Sequence, residues 1–560
     1  MNKPFVIKDP VHGYLDVAAH ERIVIDHPIT QRLRRITQTG LAEFVFPEAR
    51  TSRFIHSLGA MHLASRFLIS AIENADEETA LEFFGELEKL DIFNNYNVAL
   101  EDLDVLLTPD RRFGGGGLRA TRVSFRDESL RSDRKYVRLL GLAEAGLRLA
   151  ALFHDLGHLP FSHDFEYALK DYVADGRALS TELQDLVSGS PHEKVGHKLA
   201  DLVFQALIQG QTGIDAATRG AFAMARKILN NEAKYDDFPE PNVDVLGWLH
   251  SLVDGEIDVD RADYLLRDAR ALGLEFAIYD LERLIHNLVV VRHRTFGYIT
   301  AVDERGLSAV ESFYVSRARS HQVLARHHKT AQLGAALRFS SVQALGSADG
   351  NGFLQELLKL DGGVSAKSAR DLLTEFSRHD DPWWLEVLRE QESSVTEPLA
   401  VASLSLILRR SHSFRSLWKR KGELNSRELK VLNGALKSSE YAVHFEKVRK
   451  QLMKDGVLLA LHRFRPYSVP LGGDPSKDSV TLIKSGESLT SVVLLSPLIR
   501  SLQTAWDEDL HVHAFAITSS SLSRGEVLAM LMPRNGPDKK SHSRKPLRER
   551  KSRRPANKRH

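Results

Sequence analysis

The sequence predicts a mostly α-helical fold with a smaller α+β lobe near its C-terminus. Apolar residues recur at helical spacing from Glu21 to about Ile72 and again from Tyr136 to about Ala348. The segment 479–517 instead has the pattern of a strand, a helix and a second strand. A chain of 560 residues can bury the large core that such a helical body requires.

Taken in order, the chain opens with residues 5–17, whose alternating pattern around Pro and Gly predicts a short β-hairpin. Helical periodicity weakens between 75 and 135, which indicates an insert. Its "FGGGGLRA" run reads as a loop rather than a phosphate cradle, because no Gly-Lys-Ser/Thr follows it. The predicted parts are a catalytic domain over 1–348, a helical and α+β lobe over 349–536, and a disordered tail over 537–560.

Composition restricts the possible chemistry. The chain has no cysteine, so disulfides and thiolate metal sites are excluded. It also lacks a signal-peptide pattern and any run of 18 apolar residues, which predicts a cytoplasmic protein with no membrane partner.

Charge is distributed unevenly along the chain. The tail from Asp538 onward holds eleven Lys/Arg against two acids, which leaves a net charge of −7 on the remainder. Such a basic tail favours nucleic acid or another polyanion, although a solvated, disordered end is the simpler interpretation.

The run "AALFHDLGHLPFSH" concentrates histidine in an apolar segment. His154 and Asp155 are adjacent and point about 100° apart on a helix, so together they hold only one edge of a metal site. His56 and Asp260 are candidates for the other edge. Two imidazoles and two carboxylates, with positions left for water and phosphate oxygen, suit Fe, Mn, Zn or Mg. Taken singly, each of these residues could instead be a core histidine, a helix cap or an ion-pair partner.

Three segments, "RFIHSLG", "LFHDLGH" and "IDVDRADYLLRD", together resemble the H…HD…D signature of the HD superfamily of metal-dependent phosphohydrolases. With "DPVHGYLDV", "PITQRLRRITQTG", "HDLGHLPFSH" and "HEKVGH" in the same order, the chain resembles the HD-domain deoxynucleoside triphosphate triphosphohydrolases that carry a sterile-alpha-motif, and their dGTPase-like bacterial relatives. The likeness is close over about 5–345 and extends to about 520 only in element pattern. It implies the HD-domain helical fold.

Carried over residue by residue, the resemblance implies four sets of residues. The metal ligands are His56, His154, Asp155 and Asp260. The catalytic set is His192 as general acid, Glu166 orienting it, and His158 and His163 along the phosphate path. The substrate-binding set is Gln38, Arg53, Arg261, Tyr264, Asp268, Arg317, His321 and His327. The set for an allosteric nucleotide is Asp26, Gln31 and Arg34.

The resemblance also implies roles within the substrate-binding set. Arg53 and Arg261 face the triphosphate, the second standing where the relative has lysine. Gln38 and Tyr264 read the sugar, with Tyr264 packed where a 2′-hydroxyl would sit, and Asp268 binds at the 3′ side. The implied reaction is hydrolysis of a deoxynucleoside triphosphate (dNTP) to a deoxynucleoside and inorganic triphosphate.

The implied cofactor is a divalent metal, with a second Mg bound together with substrate. The implied partners are an activating nucleotide and further copies of the chain, a tetramer being favoured. The cellular consequence would be a depleted or balanced dNTP pool, for instance as an antiviral defence.

Besides Arg261, this sequence departs from the relative's pattern at three positions. Ala325 stands where the relative has an active-site tyrosine, which bears on base preference or affinity. Phe5 and Lys8 replace a lysine and an asparagine that bind the effector, which bears on effector identity.

Purely structural roles remain possible for three of the implied residues. His163 could merely tie its turn to neighbouring elements. Arg317, with Arg319, could form a solvated helix face, and Asp26, before "HPIT", could be a helix cap.

Two other functions remain open on the sequence. One is an HD phosphohydrolase acting on a signalling nucleotide, a monophosphate or single-stranded nucleic acid. The other is a nucleotide-sensing or nucleic-acid-binding protein whose metal site is vestigial. All four expected ligands and the sugar-facing residues are present, which favours the dNTP hydrolase.

Overall fold

The structure is a computed structural model. It describes residues 5–107, 133–177, 180–209, 214–230, 245–293, 297–324, 327–360, 365–419, 421–435, 439–463, 482–486, 488–507 and 510–532. Ala325, the "FGGGGLRA" run and the predicted tail 537–560 lie outside the described residues. The described chain is mostly helical with three small sheets, which confirms the predicted fold class.

Helices α1–α14 occupy the first half of the chain. They are α1 Ala19–Ile25, α2 Pro28–Arg32, α3 Arg53–Glu73, α4 Glu77–Glu88, α5 Ile92–Asn95, α6 Asp104–Leu107, α7 Arg134–Phe153, α8 His163–Ala174, α9 Thr181–Val187, α10 Pro191–Phe204, α11 Ala216–Leu229, α12 Val245–Ser251, α13 Val259–Ala271 and α14 Leu281–His286. Helices α15–α25 are Leu307–Val323, His328–Ala344, Ala348–Lys359, Ala366–Phe376, Asp381–Glu392, Pro398–Arg409, Ser426–Ala435, Ser439–Lys454, Val492–Leu495, Pro497–Asp507 and Arg524–Leu531.

Within the described ranges, nine strands form the three sheets. They are β1 Phe5–Asp9, β2 Gly13–Val17, β3 Leu288–His293, β4 Gly297–Asp303, β5 Phe414–Ser416, β6 Val457–Arg463, β7 Leu482–Ser485, β8 Ser488–Ser491 and β9 Leu510–Ile517. The β1–β2 pair is the predicted hairpin, antiparallel with Phe5 opposite Val17. The other sheets have the strand orders β3-β4-β7-β8 and β5-β9-β6.

The core of the N-terminal half of the chain is built around α3, α7 and α11. These helices are apolar over most of their surface, and α7 is buried continuously from Leu139 to Phe153. At Gly146 a β-carbon would collide with the side chain of Met224 on α11, so the glycine permits the close approach of the two helices. Burial of α7 on all sides explains why His154, at its C-terminal end, points into the interior.

The histidine-rich turn after α7 packs directly against α10. A β-carbon at Gly157 would collide with the backbone of His192 and Gly196, so only glycine permits this contact. The turn then passes through Phe161 and Ser162, whose φ angles of 57° and 56° are left-handed. This path places His192 beside the turn although about thirty residues separate them in sequence.

Two regions differ in detail from the sequence prediction. The described part of the predicted insert is helical and buries Phe83 and Phe84 in the main core, because its short helices carry their own apolar faces. The predicted strand–helix–strand segment contains an additional strand, β8, since the chain reverses at Gly486, where φ is +57°. None of the described helices combines the length and apolar character needed to cross a bilayer.

Candidate active site

Two histidines and one aspartate from three helices converge in the interior. His56 lies on α3, His154 ends α7 and Asp260 begins α13. Their ligand atoms all lie within 4.8 Å of one another. Nε2 of His56 is 2.9 Å, and Nε2 of His154 is 3.6 Å, from Oδ1 of Asp260. Three of the four predicted metal ligands therefore form one cluster, here called the HHD cluster.

Asp155, the fourth predicted ligand, borders the HHD cluster. Its carboxylate oxygens lie 3.4 Å from Nε2 of His56 and 3.4 Å from Nε2 of His154. The same carboxylate accepts a hydrogen bond of 2.7 Å from Nη1 of Arg53 and lies 3.1 Å from Nε2 of His158. Asp155 thus joins the cluster to the next group of histidines.

Backbone and carboxylate contacts orient both imidazoles of the cluster. Nδ1 of His56 lies 2.7 Å from Oδ2 of Asp263, and Nδ1 of His154 donates to the carbonyl of Ala151 at 2.6 Å. Each Nε2 is buried and faces Oδ1 of Asp260. A histidine that ligates a metal through Nε2 usually has its Nδ1 fixed by a hydrogen bond to a carboxylate or a backbone carbonyl, as both histidines have here. The donor set therefore fits a divalent metal.

The electrostatics of the cluster favour a cation. Burial alone would lower the pKa of His56, but hydrogen bonds to Asp260 and Asp263 and the nearby Asp155 raise it to about 10. Burial would raise the pKa of Asp260, and its contacts with His154 and His56 hold it well below the usual range. The carboxylates thus concentrate negative charge, which a divalent metal would neutralise.

The predicted catalytic residues form a second cluster around one carboxylate. Glu166 lies 3.2 Å from Nδ1 of His158, 3.4 Å from Nδ1 of His163 and 3.1 Å from Nδ1 of His192. The rings of His158 and His192 stack at 4.2 Å with an interplanar angle of 9°. His163 is the exposed member, with 57% of its side chain accessible. The structure brings all four together; their catalytic roles stay predictions.

The two stacked histidines differ in their affinity for protons. Burial and the positive charge of Arg53 lower the pKa of His158 to about 4. Burial also opposes the charged form of His192, but the hydrogen bond and charge of Glu166 raise the pKa of His192 above its ordinary value. Burial would raise the pKa of Glu166, and hydrogen bonds with the three histidines instead hold it well below the usual range. His192 is therefore the histidine of the stack that is more readily protonated to the charged imidazolium form.

Both clusters border a cavity of about 1190 Å³. Seven of the eight predicted substrate residues line it: Gln38, Arg53, Arg261, Tyr264, Asp268, Arg317 and His321. His327 does not line it. That residue caps α16, where its Nδ1 accepts from the Lys329 amide at 3.3 Å, and its ring contacts Phe46.

The arginines of the predicted substrate-binding set form ion pairs with acidic side chains. Arg261 pairs with Asp258, and Arg317 lies 3.2 Å from Glu256. Arg317 is buried, which rules out the solvated-face interpretation for it.

Of the groups predicted at the sugar, Tyr264 and Asp268 lie beside His56 of the HHD cluster, Asp268 buried and Tyr264 half-buried. Burial raises the pKa of Tyr264 to about 12 and that of Asp268 to about 7. Oε1 of Gln38 is buried without a partner in the described part of the chain.

The three residues predicted for an allosteric nucleotide lie together near the surface, away from the cavity lining. Nε2 of Gln31 donates to the Ile25 carbonyl at 2.6 Å, and Nε of Arg34 donates to Oε1 of Gln31 at 2.6 Å. Asp26 is exposed and pairs with Arg22. Asp26 is also a helix cap, because it is the C-cap of α1, whereas His27 is the N-cap of α2 and accepts from the Ile29 amide.

Sequence reasoning missed Asp263, which orients His56. It is fully buried and contacts His12 and Arg267 as well. Its spacing of three residues from Asp260 places both on one face of α13, which is the signal that could have found it.

We expect Asp263→Asn to weaken metal binding by about 10- to 100-fold, because an amide orients His56 less firmly than a carboxylate. The measurement is a titration of metal-free protein with Mn²⁺. Asp9→Asn is the matched control, since Asp9 binds the same Arg267 at 2.8 Å but lies on β1, outside the HHD cluster. An equal loss of metal affinity in the two variants would instead indicate that either substitution loosens the packing around Arg267, and that Asp263 has no specific role in orienting His56.

Comparisons with known proteins place these observations in context. No family model matches the chain. The chain is 25% identical over 323 residues to an uncharacterised protein of Methanocaldococcus jannaschii, which covers 58% of this chain and 46% of that protein. It is 23% identical over 350 residues to the deoxynucleoside triphosphate triphosphohydrolase SAMHD1 homolog of Dictyostelium discoideum, over 61% of this chain and 49% of that protein. For the SAMHD1 protein of Bos taurus the identity is 26% over 296 residues, which cover 50% of this chain and 37% of that protein.

Solved structures share the fold over nearly the whole chain. A hypothetical protein from Aquifex aeolicus matches with a TM-score of 0.53 at 21% identity, over 95% of this chain and all of that one. A phosphohydrolase from Bacteroides thetaiotaomicron matches with a TM-score of 0.54 at 19% identity, over 92% of this chain and all of that one. The chain spans half or less of the length of the curated relatives described above. The resemblance to HD-superfamily dNTP triphosphohydrolases is confirmed by these relatives.

Proposed function

We propose that this chain is a metal-dependent phosphohydrolase that cleaves dNTPs to a deoxynucleoside and inorganic triphosphate. The observation that carries the proposal is the pair of buried Nε2 atoms, on His56 and His154, that converge on Asp260 at the edge of a large cavity. The names of the curated relatives supply the substrate class.

Within this proposal His56, His154, Asp155 and Asp260 would hold the metal. A divalent metal in such a site polarises phosphoryl oxygen and lowers the pKa of water. Arg53 is buried at the cavity wall and would face the triphosphate, where it would offset negative charge that develops during cleavage.

Proton transfer to the leaving group is assigned to His192. Its Nδ1 is engaged by Glu166, so its Nε2 is the atom that would donate to the 5′ oxygen. The raised pKa of His192 favours the protonated form that this role needs. Tyr264 and Gln38 would contact the sugar, and Tyr264 would exclude a 2′-hydroxyl by occupying its space.

The finer parts of the proposal concern regulation and partners. Asp26, Gln31 and Arg34 would bind an activating guanine nucleotide, and the active form would be a homo-oligomer, a tetramer being favoured. Preference for dGTP, a second Mg bound with substrate, nucleic-acid contact through the tail and a role in antiviral defence belong to the same proposal.

The decisive experiment is a panel of deoxynucleoside and ribonucleoside triphosphates, tested singly and in pairs with Mn²⁺ or Mg²⁺. We expect release of inorganic triphosphate from the deoxy substrates only. Release of monophosphate or pyrophosphate would indicate another phosphohydrolase, and no turnover in any pair would indicate a nucleotide sensor.

A further inference from the structure

One carboxylate on the cavity wall has no part in either cluster. Asp164 lies in the first turn of α8 and lines the cavity. Its oxygens lie close to two glycines: a β-carbon would be 3.0 Å from them at Gly40 and 2.9 Å at Gly334. A side chain at either glycine would crowd the carboxylate, so the two backbones leave a fitted space for it.

The Asp164 carboxylate is charged and carries no direct partner in the part of the chain that the structure describes. Its charged neighbours, His163 and Arg338, act on it without a hydrogen bond or ion pair. Burial raises the pKa of Asp164 to about 6, so the group is ionised at neutral pH and can only accept hydrogen bonds. Asp164 is half-buried and lines the cavity, so its carboxylate is available to a hydrogen-bond donor of a ligand.

Two further polar atoms on the same wall lack partners among the described residues. They are Oε1 of Gln38, close in sequence to Gly40, and Oγ1 of Thr330, one helical turn before Gly334. Ala331 and Ala335, on the same helix as Thr330, contribute only methyl side chains to the cavity lining. The lining near Asp164 therefore combines small side chains with a carboxylate, an amide oxygen and a hydroxyl, all of which can accept hydrogen bonds from a flat group that carries donors.

The chemistry of a dNTP decides which part can lie here. The triphosphate is an anion and would be repelled by Asp164. Of the remaining parts, guanine is the base that presents two adjacent donors, N1–H and the N2 amino group, to a single carboxylate. Adenine and cytosine present a donor beside an acceptor, and thymine presents one donor between acceptors.

We propose that Asp164 is a specificity-determining residue that accepts hydrogen bonds from N1–H and N2–H of guanine. This inference rests on the proposed function, which already includes a preference for dGTP, and adds the residue that reads the base. Gly40 and Gly334 are the positions that keep this carboxylate accessible.

The test compares dGTP, dITP and dATP as substrates at a fixed concentration of GTP as activator. The wild type should favour dGTP over dITP, which lacks the N2 amino group, by about 10-fold or more in kcat/KM. Asp164→Asn should reduce the preference for dGTP over dATP by about 10- to 100-fold, because its amide donor opposes N1–H of guanine. Glu446→Gln is the matched control, since Glu446 is an acid on the same cavity that pairs with Arg449.

Three results would overturn the inference. Equal rates of the wild type on dGTP and dITP would do so even if Asp164→Asn failed to fold. A uniform loss on all three substrates in Asp164→Asn would instead assign the carboxylate to the sugar or to stability. Absence of triphosphate release by the wild type from any dNTP would remove the proposed function and this inference together, and it is recognised before any variant is made.

Discussion

His154→Ala is expected to abolish metal binding at the candidate centre and to lower dNTP hydrolysis by at least about a thousandfold. The variant removes one of two imidazoles and leaves Asp260 and Asp155 facing His56 alone. Metal chemistry supplies several kcal/mol of the barrier reduction, and each 1.36 kcal/mol corresponds to about tenfold in rate. The measurements are the metal content of the purified protein and the rate of triphosphate release with added Mn²⁺.

The matched control for this variant is His250→Ala. His250 also lines the cavity, but its Nδ1 bonds the carbonyl of Ile228 and it lies outside both clusters. This control should keep its metal and most of its turnover. If His154→Ala retains both at the wild-type level, the HHD cluster is not the metal centre.

Glu166→Gln is expected to lower kcat/KM by about 100- to 10,000-fold and to shift the loss of activity with rising pH to lower values. Ionised Glu166 raises the pKa of His192, so the protonated imidazole is present below that pKa and is lost as the pH rises through it. Glutamine removes the negative charge. The pKa of His192 should then fall and the alkaline decline should begin earlier.

The measurement is a pH profile of kcat/KM for the wild type and both variants, Glu166→Gln and Glu193→Gln. Glu193 is the control, because its carboxylate lies 3.9 Å from Nε2 of His192 but is half exposed, where water screens its charge. An alkaline limb that stays in place in Glu166→Gln would show that another group donates the proton.

Local patterns predicted much of the fold. Helical periodicity identified α3, α7 and α13, because each buries a continuous apolar face that repeats with the helical period. The hairpin over 5–17 was equally predictable, since a short turn sets its register.

Pairing of distant strands was not predictable in the same way. Strand β7 pairs in parallel with β4, so Leu482 lies opposite Ala301. A strand pattern shows only that a segment is extended, and many partners satisfy its apolar face equally well. The division of the C-terminal strands between two sheets therefore appeared only in the structure.

The candidate site shows the same division. The HD motif marked His154 and Asp155 because they are neighbours within a motif, whereas Asp263 and Asp164 belong to the site only through what packs against them. Asp164 matters because Gly40 and Gly334, far apart in the chain, meet at its carboxylate.

By itself, the sequence determined the mostly helical class, the hairpin and the motif residues, since these follow from periodicity and spacing over a few turns of chain. The tertiary structure decided which histidine of the stacked pair is more readily protonated and which carboxylate orients His56. It also decided which acid of the described residues faces the cavity without a direct partner. These properties depend on burial and on distances of a few ångströms between residues from distant segments, which spacing along a chain does not encode.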